Sequence, residues 1–341
     1  MTSQYHFGTT ADGREVTAYK ITNSFGEYAV ILNLGAAIQG IWVRDKNGEI
    51  GPVVLGADEG TDPSAYRRTG YVMGRCANRI AFGRFEIDGR TYQLKTPRPP
   101  HHLHGAEGNF SKQIFHGECT EDGVVLTLTD SGEDGYECEA DVQITYTFGD
   151  DHALTLDYVI TAKGDTVLSP TNHAYFNLEM PRDILDTKIM LDTDQYAPKS
   201  ELGMPDGTIS KTTGTPLDFT QEHTIREGLA SDTIGFFTGE IPGYDDFYVV
   251  PGEGMRRVAV ATAPTNGRRM TVFSDAEGLI FFTPTGDHQK VGEMELDGYT
   301  SFCIEMQFVP NAVNCPQYRS PVFRAGETLH TRTIYAFDTV S

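Results

Sequence analysis

Short alternating or apolar runs, each closed by a turn signal, recur from one end of this chain to the other, and long helical periodicity is absent. An extended chain sends successive side chains to opposite faces, so such runs mark strands that bury one face. Residues 27–34 (E-Y-A-V-I-L-N-L) and 38–45 read this way, with Asn47-Gly48 as the turn that follows. Residues 84–94, R-F-E-I-D-G-R-T-Y-Q-L, read as a hairpin, because Asp88-Gly89 suits the positive φ angles of a tight turn. Residues 124–129, 142–148 and 153–161 continue the pattern, the last two joined through Gly149-Asp150-Asp151. Further strands are predicted at 187–191, 247–250, 258–262, 269–273, 279–283, 301–309 and 329–337. Residues 221–229 suggest one short helix and residues 64–67 a single turn. Many strands without intervening helices predict an all-β fold, a large antiparallel β-sandwich. No linker, repeat or change of composition divides the 341 residues, so one domain spanning 1–341 is expected. Residues 199–216, rich in Gly, Thr and Pro, read as a long surface loop.

Composition narrows the function. The formal net charge of −21 sets up a field that repels phosphate backbones and anionic lipid, which argues against nucleic-acid and membrane-surface partners. The five cysteines (Cys76, Cys119, Cys138, Cys303, Cys315) are widely spaced and contain no C-x-x-C pair. They read as reduced thiols, not as a disulfide framework or a zinc site. The start M-T-S-Q-Y-H-F-G has neither a basic region nor an apolar core, and no run approaches membrane-spanning length. A soluble cytoplasmic protein is the expectation.

Several polar groups sit where such a fold would leave them half-buried. Residues 169–178, S-P-T-N-H-A-Y-F-N-L, read as an extended segment entered through Pro170. His173, Tyr175 and Asn177 would then share one face, the polar wall of a pocket inside an aromatic-rich stretch. A pocket histidine is a natural proton donor or acceptor, and also a common partner for a buried backbone group. In residues 74–85, G-R-C-A-N-R-I-A-F-G-R-F, the adjacent Asn78 and Arg79 suit hydroxyls or a carboxylate, although such a pair is often structural. In P-P-H-H-L-H-G, residues 99–105, His102 and His104 would share one face. Zinc needs further ligands, and neither H-E-x-x-H nor a cysteine pair is near, so no metal is expected. Asp245 and Asp246 stand at the mouth of a strand in G-Y-D-D-F-Y-V-V, where acids also serve as turn formers. In residues 301–316, S-F-C-I-E-M-Q-F-V-P-N-A-V-N-C-P, alternation puts Phe302, Ile304, Met306 and Phe308 on one face and Cys303, Glu305 and Gln307 on the other. A carboxylate within so apolar a run is costly unless it is hydrogen-bonded or used, and desolvation would raise its pKa toward that of a general base.

These stretches, in this order and over nearly the whole chain, resemble the aldose 1-epimerases, or galactose mutarotases. The matching strings are A-N-R-I with G-R-F, L-H-G, T-N-H-A-Y-F-N-L, Y-D-D-F, and F-C-I-E-M-Q with P-N-A-V-N-C-P; F-R-A-G-E-T-L-H-T-R-T-I-Y-A-F looks like the family's closing strand. The resemblance implies a galactose mutarotase-like β-sandwich carrying a sugar cleft, no cofactor, and interconversion of the α and β anomers of a free aldose. It implies Glu305 as the base that takes the anomeric hydroxyl proton and His173 as the acid that protonates the ring oxygen. Asn78, Arg79, His104 and Asp245 take its substrate-binding positions, Asp245 being preferred to Asp246 from the pattern Y-D-x-x-[FY]. A small-molecule aldose is the implied partner, and a monomer or homodimer the implied assembly. One departure bears on the substrate. The family often reads V-Q-F-Y-T-G-N where this chain has L-I-F-F-T-P-T, so a sugar-contacting Gln position is Ile280 here. The usual H-G-G is also Gly105-Ala106, H-G-A.

Three other readings stand beside this one. A non-catalytic carbohydrate-binding sandwich would use Asn78, Arg79 and Asp245 without needing Glu305 and His173 together. A glycoside hydrolase would pair Asp245 with Glu305 and leave His173 idle. An enzyme acting on a sugar phosphate should carry a basic cluster at the cleft mouth, for which Arg67, Arg68 and Arg75 are the candidates.

Overall fold

The computed structural model describes residues 1–66, 68–97, 99–229, 242–285, 287–291 and 294–341, and Arg67 therefore lies outside the described residues. The fold is a large, antiparallel β-sandwich with only short helices. The predicted strands recur with small changes at their ends, for example Ala37–Arg44, Ala153–Ala162 and Cys303–Gln307. Thr2–Thr9 and Glu15–Thr22 are additional strands. Both faces of the second of these are buried, Val16 and Ala18 in one apolar cluster and Tyr19 and Ile21 in the main core, so strict alternation does not mark it. The short helix forms at Ile225–Leu229, and the single turn at Pro63–Ala65 is 3-10.

The largest sheet has nine strands. Its order runs from His116–Cys119 through Gly123–Asp130, Ala140–Phe148 and Ala153–Ala162 to Thr328–Thr339, then through Arg268–Ser274, Arg256–Thr262 and Lys188–Leu191 to His223–Thr224. The last long strand of the chain thus joins the meander before it to strands from the later half. A five-stranded sheet holds the first fifty or so residues in sequence order, and a second one runs Ser210–Lys211, Gln195–Ala197, Asp245–Val249, Gly278–Phe282, Cys303–Gln307. Inner faces of these sheets share one apolar core that includes Ile31, Leu156, Phe176, Phe281 and Tyr335. No helix among the described residues is long and apolar enough to cross a membrane.

Arg75 corrects one sequence expectation. It is 1% exposed and belongs to the interior, not to a basic cluster at a cleft mouth. Its Nε donates to Asp130 at 2.6 Å, its remaining nitrogens donate to the Thr166 hydroxyl at 3.1 Å and the Cys138 carbonyl at 2.8 Å, and its guanidinium lies over the Tyr136 ring. A buried charge satisfied on every side ties the Asp130 strand to residues 74–76, and removing its counter-ion leaves that charge uncompensated. Asp130→Ala is expected to lower the unfolding free energy by about 3 kcal/mol in urea denaturation; a loss below about 1 kcal/mol would show that the guanidinium is satisfied without the carboxylate.

Candidate active site

One row of side chains organises the site. In Cys303–Gln307, Ile304 and Met306 enter the main core, so Cys303, Glu305 and Gln307 face the other way, as alternation requires. The neighbouring strands are in register with this face: Glu305 opposes Ile280, Ile280 opposes Phe247, and Phe247 opposes Ala197. On the other side of Glu305 the chain is held by reciprocal backbone hydrogen bonds between Phe176 and Phe302, at 2.8 and 2.9 Å. That antiparallel register, carried three residues on, sets His173 opposite Glu305. Their side chains meet there, His173 Nε2 lying 3.4 Å from Glu305 Oε1.

Both members of the pair are desolvated. His173 stacks on Tyr175 at 4.8 Å between centroids and meets the edges of Phe282 and His104 at 5.9 and 5.8 Å. Burial pushes its pKa down to about 4, with the nearby Arg68 cation acting in the same direction. Burial pushes Glu305 well above the usual carboxylate range, and the negative charge of Asp245 adds to this. Glu305 Oε2 is buried without a hydrogen-bond partner. A dry cleft therefore favours the neutral pair, with the proton on the carboxyl and the imidazole uncharged. The pair holds one proton between two groups of opposite type, which is the inventory an acid–base catalyst needs.

The facing wall comes from two left-handed turns. Asn78 has φ +57° and His104 φ +53°. The Asn78 N–H donates to His104 Nδ1 at 3.1 Å, and the His104 N–H donates back to the Asn78 carbonyl at 2.9 Å. Because Nδ1 accepts, the neutral ring carries its proton on Nε2. Asn78 Oδ1 in turn accepts from the Arg79 N–H at 2.8 Å. Gly105, at φ +87°, follows His104, and a Cβ there would sit 1.9 Å from the Gly74 carbonyl oxygen. Arg79–Ile80 pairs with His102–Leu103, so the two motifs that sequence placed apart form one short ribbon.

Asn78, Arg79 and Asp245 line one cavity together with Lys199, Phe247 and Ile280. Desolvation raises the Asp245 carboxyl to about 7, against the opposing pull of Lys199 and Arg79. Lys199 donates to the Asp245 carbonyl at 2.9 Å and lies 3.1 Å from Asp246 Oδ1, which separates the roles of the two adjacent acids. The segment expected as a surface loop thus supplies Lys199 to the cavity wall. Composition hid this, since a lone lysine in a Gly- and Thr-rich stretch carries no signal of what it will face.

His102 corrects a second expectation. It does not share a face with His104, because the positive φ of His104 breaks the extended alternation. It is fully buried, with Nδ1 2.7 Å from the Lys95 carbonyl and Nε2 2.9 Å from the Tyr136 hydroxyl. Asn177 is also internal: its amide donates to the carbonyls of Arg182 and Thr300. Arg68 lies over the Tyr175 ring at 5.3 Å, beside the pair. Cys303, His173 and Glu305 each offer an atom within 4.8 Å of the others, a grouping able to hold a metal ion. Burial pushes the Cys303 thiol well up, however, and a protonated thiol is a poor ligand.

Residues 17–336 match the family model described as aldose 1-epimerase. The chain is 32% identical over 319 residues to the galactose mutarotase of Rattus norvegicus, covering 90% of each chain. It is 28% identical over 337 residues to the maltose epimerase of Levilactobacillus brevis, covering 96% of each. Among solved structures, an aldose epimerase homologue from C. elegans superposes with a TM-score of 0.86 at 23% identity, over 94% of this chain and 98% of that one. Galactose 1-epimerase from Lactobacillus acidophilus gives 0.82 at 20% identity, over 100% and 99%.

The Asp245 carboxyl gives a stability test. Its folded pKa of about 7 exceeds the ordinary 3.8, so between these values the folded state holds a proton that the unfolded state releases, and stability falls as pH rises through that window. Asp245→Asn removes this slope. Relative to the parent, the variant should gain on the order of 4 kcal/mol between pH 4 and pH 8 in urea denaturation. A parallel pH dependence in the two proteins would mean that Lys199 and Arg79 keep the carboxylate ionised.

Proposed function

The chain belongs to the aldose 1-epimerase family, and from that premise we propose that it is a mutarotase interconverting the α and β anomers of a free aldose such as galactose or glucose, folded as one domain. Family membership carries an isomerase-type activity on sugar rings. The finer assignment rests on one observation, the contact of Glu305 with His173 at 3.4 Å inside a desolvated cleft.

The chemistry follows from that pair. Glu305, as carboxylate, takes the proton of the anomeric hydroxyl. The C1–O5 bond breaks, its electrons pass to O5, and O5 takes the proton of the His173 imidazolium. The product is the open-chain aldehyde, facing a protonated Glu305 and a neutral His173. Rotation about C1–C2 presents the other carbonyl face. O5–H then adds to C1, returning its proton to His173, while the new anomeric oxygen takes the proton from Glu305. The burial that raises Glu305 and lowers His173 favours the proton distribution of the open-chain state, and so acts on the intermediate that is scarcest in water. His104, with its proton on Nε2, and Arg79 supply donors for hydroxyls and developing charge, and Asp245 an acceptor. The interior place of Arg75 weakens the sugar-phosphate reading, and a sugar-binding sandwich would have no use for a one-proton pair.

The optical rotation of freshly dissolved α-D-galactose and α-D-glucose tests the proposal. The protein should speed its decay, and Glu305→Gln and His173→Asn should each lower kcat by about 100-fold or more. Activity that survives both substitutions would exclude the pair. The pH profile of kcat/KM should be a bell. Its acid limb, where His173 takes the second proton, should fall near pH 4, and its alkaline limb, where Glu305 loses the only one, well above the carboxylate range. An acid limb near pH 6.5 would mean that His173 is solvated in the free enzyme.

A further inference from the structure

The row across the sheet also orients the sugar. Glu305, Ile280, Phe247 and Ala197 lie directly opposite one another on four adjacent strands, and on the far side of Glu305 its carboxyl meets His173 Nε2 at 3.4 Å. Neighbouring segments lie about 4.8 Å apart, close to the width of a pyranose ring. In the mechanism above, the ring oxygen faces His173 and the anomeric hydroxyl faces Glu305. Only C2 continues the ring from C1 on the side away from O5. Moving from His173 past Glu305 therefore brings C2 and its substituent over Ile280.

The floor under that position is apolar. Ile280 is 3% exposed and packs with Ala197, Phe247 and Val309. It nevertheless belongs to the wall of the cavity lined by Asn78, Arg79 and Asp245. The polar side chain nearest along the Glu305 strand, Gln307, donates to the Phe308 carbonyl and lines a separate recess with Glu277 and Arg319. A hydroxyl on C2 directed at the floor would leave water for methyl and phenyl groups, whereas a hydrogen there carries no such desolvation cost.

We propose that Ile280, backed by Phe247, makes this enzyme selective for aldoses that lack a hydroxyl at C2, with 2-deoxyaldoses as its favoured substrate class. The proposal rests on the mutarotase reading and adds to it a specificity-determining residue. An apolar wall discriminates against an added hydroxyl only moderately, so the preference in kcat/KM should be about 10- to 100-fold.

The test compares D-glucose, 2-deoxy-D-glucose and 6-deoxy-D-glucose by anomer-resolved NMR exchange, with spontaneous rates subtracted. The expected result is a kcat/KM for the 2-deoxy sugar at least 10-fold above that for glucose, with no comparable gain for the 6-deoxy sugar. Ile280→Gln, which places an amide under C2, should shrink or reverse the ratio, and Ile280→Val should keep it. The ratio for the unmodified protein decides the matter even if the glutamine variant fails to fold. Equal values for glucose and its 2-deoxy analogue, or the same gain from removing either hydroxyl, would overturn the C2 assignment and leave the mutarotase reading standing. No acceleration of any of the three sugars by folded protein would overturn that reading and the specificity with it.

Discussion

The approach of Glu305 to His173 depends on two backbone hydrogen bonds, those exchanged by Phe176 and Phe302, which lock two segments separated by more than a hundred residues into one antiparallel register. The rings of these phenylalanines lie in the main core, where Phe176 also packs against Tyr335 of the closing strand. The contact between His173 and Glu305 is thus fixed by core packing three residues away. A one-residue slip would turn His173 to the other face, so the register is specified as strongly as the core itself. A frame of this kind holds a polar pair in a dry setting without requiring the pair to contribute to stability.

The second wall is built on a different principle. Asn78, His104 and Gly105 all have positive φ, and the hydrogen bonds exchanged by the first two, one to the His104 ring and one to the Asn78 carbonyl, hold the turns together. The close approach of residue 105 to the Gly74 carbonyl leaves no room for a side chain there. Strained turns aim single side chains where regular strands cannot, which suits groups that must face a ligand from above a flat sheet. Strand geometry places Glu305 against His173, and turn geometry places the His104 imidazole beside His173 and Arg79 in the cavity wall.

The charges are sorted in a way the total conceals. A chain of net charge −21 brings Arg68 beside His173 and puts Arg79 and Lys199 in the cavity wall. Lys199 and Arg79 oppose the burial that would otherwise push Asp245 higher still. Arg75, adjacent in sequence to the same stretch, serves only the interior. Distance along the chain says little about which arginine lines the cavity and which holds two strands together.

Local patterns determined much of this protein. Period-two alternation marked most strands, Asp88-Gly89 marked the hairpin, and the partition of residues 302–308 into a core face and a Glu305 face was readable because each side chain's direction follows from strand geometry alone. The motif strings identified the family. The tertiary structure decided what those patterns could not encode. It set the contact of 173 with 305 and the pairing of 305 with 280 and of 280 with 247, which depend on register between segments far apart in sequence. It separated His102 from His104, because one left-handed residue undoes alternation without leaving a sign in the residue types. It brought Lys199 to the cavity, and it set the proton distribution of Glu305 and His173, since the pKa of a side chain belongs to the environment that folding assembles around it.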